Sequence, residues 1–173
     1  MICTGSKTKS VESFMNQKKE YIARIKLGYE TDTLDPTGKI VKKEKIPRLD
    51  EKMIKDALSY FIGGIMQKPP MYSALKYAGQ PLYKLARKGI VVPRSERLIN
   101  IYDIKLIDFS DNTILINIKC GRGTYIRSLA RDISRQLGSV GSLSSLKRTR
   151  IGNVDEKKCL KIKEFPKWLS AKI

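Results

Sequence analysis

Residues 113–137 read TILINIKCGRGTYIRSLARDISRQL, and their periodicity changes midway. Ile114, Ile116, Ile118 and Cys120 recur at every second position, the spacing of a strand with one buried face. Gly121-Arg122-Gly123 breaks that run. Thr124 can then cap a helix reaching Leu137, with Tyr125 or Ile126, Leu129, Ile133 and Leu137 as its buried stripe and Gly138 beyond its end. Upstream, residues 98–109 form a second β run, and a turn around Asp111-Asn112 makes the two a hairpin.

Working outward, Tyr21, Ala23, Ile25 and Leu27 alternate with Ile22, Arg24 and Lys26, a strand pattern, preceded by a short helix over residues 6–17. Residues 28–38 read as a turn-rich loop. Asp50 is placed to cap a helix through Phe61, with Met53, Ile54, Ala57, Leu58 and Phe61 on its apolar face and Gly63-Gly64 as its stop. Lys68-Pro69-Pro70 enforces extended backbone, and Pro81 opens a short helix ending at Gly89. Residues 143–151 read as extended and 162–169 as a last helix. Without regular βαβ alternation the class is α+β, a mixed and mainly antiparallel sheet with flanking helices.

Composition narrows the chemistry. The chain has 173 residues, 41% of them hydrophobic, enough for one cored domain with at most a small appendage. No apolar run has the length of a bilayer span, so a cytoplasmic protein is expected. The absence of histidine excludes imidazole-based triads and thiolate–imidazole pairs. Cys3, Cys120 and Cys159 are scattered, as expected of reduced thiols rather than of a zinc site or a disulfide framework. The net charge of +18 is spread along the chain and points to a polyanionic partner, nucleic acid before any other; a lysine-biased composition is the competing explanation.

Two features carry possible chemistry. The loop Gly121-Arg122-Gly123 sits before a helix N-terminus, where anions are favoured, and Arg127, Arg131 and Arg135 follow at i, i+4 and i+8. The spacing fits equally an ordinary strand–turn–helix with a solvated arginine face. Tyr21, Tyr60, Tyr72, Tyr77, Tyr83 and Tyr125 are interleaved with basic residues, a composition suited to stacking unpaired bases, although a lone tyrosine is more often core. Read this far, the chain is a basic α+β domain that binds RNA.

A series of motifs resembles the TruB type of tRNA pseudouridine synthase. They are Lys19-Glu20-Tyr21-Ile22-Ala23, Leu27-Gly28, Thr31-Asp32-Thr33-Leu34-Asp35-Pro36-Thr37-Gly38 and Gln67-Lys68-Pro69-Pro70-Met71-Tyr72-Ser73-Ala74-Leu75-Lys76. Gly79 follows with Leu82-Tyr83 and Ala86-Arg87, then Gly123-Thr124-Tyr125-Ile126-Arg127-Ser128-Leu129, Leu146-Lys147-Arg148-Thr149 and Ile151-Gly152. They occur in family order across nearly the whole chain. The resemblance implies a pseudouridine synthase-like catalytic domain over residues 1–152, a short C-terminal segment over 153–173, and isomerisation of a T-arm uridine in tRNA without metal or cofactor, by a monomer. It also implies roles: Tyr21 stacks on the flipped base, Tyr125 is a second pocket tyrosine, Leu146 an apolar wall, and Arg127 the partner of the nucleophilic aspartate.

The chain departs from the family at one point. The nucleophile belongs to a Gly-x-Leu-Asp-Pro-x-Ala-x-Gly segment upstream of the Tyr21 strand, and residues 1–5 resemble the strand that follows that segment. The nucleophilic aspartate is therefore expected to be absent from this sequence, together with a preceding strand, helix and histidine-containing loop. Asp35 lies in the Thr-Asp-Thr loop on the other side of Tyr21. Six strand residues at about 3.3 Å each put that loop roughly 20 Å away. The loop could fold back and bring Asp35 to Arg127, but it would have to leave its own turn, so Asp35 is expected to be a bystander and Arg127 to lack its carboxylate. Two functional classes follow: an enzyme acting on tRNA, or a tRNA-binding or tRNA-folding protein without chemistry.

Overall fold

Ala23, Ile25 and Leu27 are at most 2% exposed, so the alternation in strand β1 (Lys19–Leu27) marks the middle of the sheet. The computed structural model describes residues 2–171. Strand β1 pairs on one side with β8 (Thr113–Cys120) and on the other with β9 (Gly141–Ile151). Beyond β8 lie β7 (Arg97–Ser110) and the edge strand β4 (Gly63–Gln67); beyond β9 lies the two-residue β10 (Val154–Asp155). All of these pairings are antiparallel, and the class is α+β as expected.

Helices cover one face of the sheet. Ile54, Ala57 and Leu58 of α2 (Glu51–Ser59) and Ile126, Leu129, Ala130 and Ile133 of α4 (Ile126–Gln136) close the core over Ile99, Ile101, Ile114, Ile116 and Ile118. Full burial of each such Ile or Leu is worth about 1.5–3 kcal/mol. Asp50 caps α2 as its sequence suggests, its carboxylate accepting from the Met53 N–H at 2.8 Å. Helix α4 starts one residue later than expected: Tyr125 is its N-cap residue, while the Thr124 hydroxyl donates to the Gly121 carbonyl.

Smaller elements complete the chain. Gly5–Ser10 is a 3-10 segment running into α1 (Val11–Asn16); residues 2–4 are irregular rather than the expected strand, whose Met1 lies outside the described residues. The turn-rich loop after β1 contains a strand, β2 (Tyr29–Thr31), which forms a hairpin with β3 (Ile40–Lys43). Gly63-Gly64 does not merely stop α2 but opens β4, Gly63 taking φ +106° to turn the chain into the sheet. Residues 68–97 form an arm with a miniature hairpin, β5 (Lys76–Tyr77) and β6 (Gln80–Pro81), and one short helix, α3 (Leu82–Arg87). Past β10 the chain ends in 3-10 turns and α5 (Phe165–Ser170), none of whose residues is buried; Lys172 and Ile173 of the expected C-terminal segment lie outside the described residues.

Candidate active site

Four local devices converge on the start of α4. The first is Gln67, only 2% exposed at the end of β4. Its side-chain oxygen accepts from the Tyr125 N–H at 2.9 Å, and its amide nitrogen donates to the Tyr125 carbonyl at 3.2 Å. This bracket satisfies the Tyr125 N–H, which a helix start would otherwise leave without a partner, and adds a second bond to a carbonyl that already accepts from the Leu129 N–H at 3.0 Å. Exchanging Gln67 for the similarly sized Met removes both bonds and strands the Tyr125 N–H, at about 2–4 kcal/mol. The melting temperature followed by circular dichroism should fall by roughly 5–15 °C, at about 2–4 °C per kcal/mol for a chain of this size. A fall under about 2 °C would mean that Gln67 does not hold the helix start.

The second device is the guanidinium of Arg127. One terminal nitrogen donates to the Thr33 carbonyl at 3.0 Å and to the Asp35 carboxylate at 2.9 Å; the other donates to the Tyr72 carbonyl at 2.7 Å. The expectation of an unpartnered Arg127 and a distant Asp35 is thus corrected: the two form a half-buried ion pair. Strand length misled because the chain doubles back. Gly28, at φ +90°, reverses it at the end of β1, and the β2 hairpin then runs along α4 from the C-terminal end towards the N-terminal end. Glu30 meets Arg135 at 3.1 Å, and Asp35 meets Arg127 two turns earlier, about 12 Å along the helix at 1.5 Å per residue.

The third device is the loop that presents Asp35. One carboxylate oxygen accepts from the Thr33 hydroxyl (2.8 Å), the Thr37 hydroxyl (2.6 Å) and the Thr37 N–H (3.0 Å), while the other takes Arg127. Burial pushes the Asp35 carboxyl up, but the Thr37 and Thr33 hydrogen bonds and the Arg127 charge outweigh it and leave the group below its ordinary range. A depressed carboxylate stabilises the fold above its unfolded pKa, and that contribution is lost as pH falls through the folded value. Leu34 is held at φ +62°, a conformation costing roughly 1–2 kcal/mol outside glycine. Its buried side chain and the bond from the Leu143 N–H to its carbonyl, at 3.0 Å, offset that cost. A side chain on Gly38 would collide with Asp32 and Thr33, which fixes glycine there.

The fourth device is the sheet face beside the helix start. Tyr21 lies two residues from Ala23, and Ala23 faces Leu146 directly across β1 and β9, so Tyr21 and Leu146 share one face on adjacent strands. Leu146 is 45% exposed, while Tyr21 is half-buried against the core. Burial raises the Tyr21 pKa, with Arg148, its partner in register, pulling the other way through a hydrogen bond; the phenol is neutral at physiological pH. Strand β8 ends at Cys120 opposite Lys19, so the loop leading to Tyr125 starts two residues along β1 from Tyr21.

Each arginine of the α4 ridge has a carboxylate partner, and Arg135 at its end stays exposed. Arg127 and Arg135 tie the helix to the segment after β1 through Asp35 and Glu30, whereas Arg131 pairs with Asp132 of the same helix at 2.7 Å. The arm carries a run of cations without carboxylate partners. Residues 68–97 hold seven basic side chains against one acidic, Glu96, and none of them joins an ion pair among the described residues. Tyr77 is 46% exposed there, and Arg87 lies 5.5 Å from the Tyr83 ring centre. Sequence reasoning named Tyr72, Tyr77 and Tyr83 but missed the arm as a unit, although its charge asymmetry was there to count.

The fold is shared with chains of solved complexes. A chain in the crystal structure of a Cbf5-Nop10-Gar1 complex superposes with a TM-score of 0.67 at 24% identity, over 96% of this chain and 41% of that one. A chain in the structure of an H/ACA RNP bound to a substrate RNA containing 2'-deoxyuridine gives a TM-score of 0.62 at 22% identity, covering 96% and 40%. Residues 1–126 match the model of the TruB family pseudouridylate synthase (N terminal domain), and the chain belongs to that family. It is 49% identical over 152 residues to the tRNA pseudouridine synthase B of Francisella philomiragia, covering 87% of this chain and 50% of the relative. The enzyme of the same name from Hydrogenovibrio crunogenus is 46% identical over 151 residues, with the same coverage. The chain thus spans about half the length of the curated relatives it matches.

Proposed function

We propose that this chain forms much of the catalytic domain of a tRNA pseudouridine synthase, which isomerises a T-arm uridine to pseudouridine in the cytoplasm. The observation that carries the reading is the assembly of Tyr21 and Leu146 on one sheet face beside a helix start that fixes Tyr125 and Arg127. A uridine stacked within a loop hides its glycosidic bond, so the base must first be flipped out. Tyr21 stacks on the flipped uracil, Leu146 walls it in, and Tyr125 closes the pocket. Arg127 has three of its five N–H donors engaged, leaving two to hold an attacking carboxylate ionised and oriented. We assign that carboxylate to the Gly-x-Leu-Asp-Pro-x-Ala-x-Gly segment that the resemblance implies rather than to Asp35, whose loop fixes it with one oxygen on Thr33 and Thr37 and the other on Arg127. Asp35 positions Arg127 instead.

The same occupancy of Asp35 favours a second reading, a tRNA-folding protein without chemistry. Tritium release from tRNA labelled at uridine carbon 5 separates the two. A chain extended to its relatives' full length should release tritium, and failure to do so would leave only the second reading.

Both readings place the arm of residues 68–97 against RNA phosphates. A T-arm stem-loop should compete for binding better than an unrelated hairpin of equal length, because its loop offers stackable bases. The triple change Lys76→Gln, Lys84→Gln and Lys88→Gln should reduce the slope of log affinity against log salt by about 2–3, close to one per lost phosphate contact. An unchanged slope, read by filter binding from low to moderate salt, would take the arm off the interface.

A further inference from the structure

We propose that the cavity beside Tyr21, framed by Lys19, Arg122 and Arg148 over Phe14 and Met15, binds an internal RNA phosphodiester next to the flipped uridine. The inference deepens the reading of Tyr21 as a stacking platform and rests on it. The cavity has a volume of about 380 Å³ and lies between α1, the Gly121-Arg122-Gly123 loop and β9. Lys19 is two residues from Tyr21 on β1 and so shares its face, and Arg148 opposes Tyr21 in register. The site therefore lies on the Tyr21 face of the sheet, next to its position on β1.

Charge is what the cavity leaves unsolved. Arg122 is taken by Glu12 and Asn16, and the Lys19 ammonium donates to the Met15 carbonyl. Arg148 makes no ion pair among the described residues. Three cations thus meet one carboxylate. The Lys19 pKa is lowered, first by burial, with Cys120 opposing and Arg148 and Arg122 adding repulsion, so both guanidinium charges reach the ammonium. An anion between them would relieve the repulsion, and a guanidinium beside an ammonium suits phosphate oxygens. The apolar floor, with Met15 43% and Val11 40% exposed, offers a surface for the sugar or base attached to that phosphate. A phosphodiester meets both halves of the site, whereas inorganic phosphate meets only one.

The test uses T-arm stem-loops carrying a single neutral methylphosphonate, placed in turn at each phosphate from two nucleotides before the target uridine to two after it. Each is titrated against this protein and against Arg148→Gln, an exposed position whose exchange leaves the core intact. One methylphosphonate position should weaken binding to the unaltered protein by about tenfold and binding to Arg148→Gln by less than twofold, and Lys19→Gln should pick out the same position. Losses that simply add at every position overturn the proposal. So does competition by uridine 3'-monophosphate at concentrations that compete for the whole stem-loop, since the site would then serve a free nucleotide. If the T-arm preference over an unrelated hairpin persists while no position couples to Arg148, this site alone falls. If the unaltered protein shows no such preference, the underlying functional reading falls with it.

Discussion

Replacing Arg127 with alanine, in a chain extended to the full length of its relatives, should slow single-turnover pseudouridine formation by about a thousandfold. Asp35→Ala should slow it by about a hundredfold, and neither should change tRNA affinity by more than about threefold. The scale is that of removing one preorganised electrostatic group from a water-poor site. Arg127 is held by three acceptors from two separate segments, so its two remaining donors point one way before any substrate arrives. Asp35→Ala removes the only charged member of that set and frees the guanidinium to turn. Arg127→Lys should fail to rescue, because an ammonium cannot bridge the Thr33 and Tyr72 carbonyls and still present a fork to a carboxylate. Affinity is spread over many arm and sheet cations, so one half-buried ion pair contributes little to it. Rapid-quench kinetics beside filter binding gives both numbers. Loss of binding with intact chemistry in either variant would remove that residue from the role assigned here, and an unimpaired Asp35→Ala would return Asp35 to the status of bystander.

What could be read from the residues was whatever is periodic. The every-other-residue burial of β1 and β8, the Asp50 cap and the buried stripe of α4 are local consequences of side-chain direction, and the structure repeats them. The β4 strand was hidden because its Gly63-Gly64 opening resembles a helix stop and its residues are mostly exposed at the sheet edge. The hairpin of β2 and β3 was hidden because all four β3 residues are exposed, so no apolar alternation announces it. For the site, the residues were legible and their partners were not. Arg127 and Asp35 are 92 positions apart, and Gln67 and Tyr125 are 58 apart. Nothing along the chain reports that the loop after Gly28 folds back along α4. A distance counted along a strand fails as soon as a left-handed glycine reverses the path.

The 173-residue chain, assayed as it stands, should bind T-arm RNA and release no tritium from tRNA labelled at uridine carbon 5. Attack on the nucleoside needs an ionised carboxylate within contact distance of the sugar or base and free to form a bond. The carboxylate paired with Arg127 is Asp35, and it is ionised, since its pKa is below the ordinary range. It is not free to move. One oxygen takes two threonine hydroxyls and a backbone N–H and the other takes Arg127, so carrying the carboxylate to the nucleoside would require abandoning at least one of these. Each neutral bond lost costs about 1 kcal/mol and the charged one about 1.5–3, so releasing even one oxygen is a penalty before chemistry starts. The loop resists moving as well, because Leu34 is buried beside it and its carbonyl is tied to the Leu143 N–H. Three proteins decide the matter: this chain, the extended chain, and the extended chain with Asp35→Ala. The expected order is no release, full release, and release slowed by about a hundredfold. Release by the 173-residue chain that disappears with Asp35→Ala would make Asp35 the nucleophile and overturn the assignment of Arg127 to a carboxylate from outside these residues.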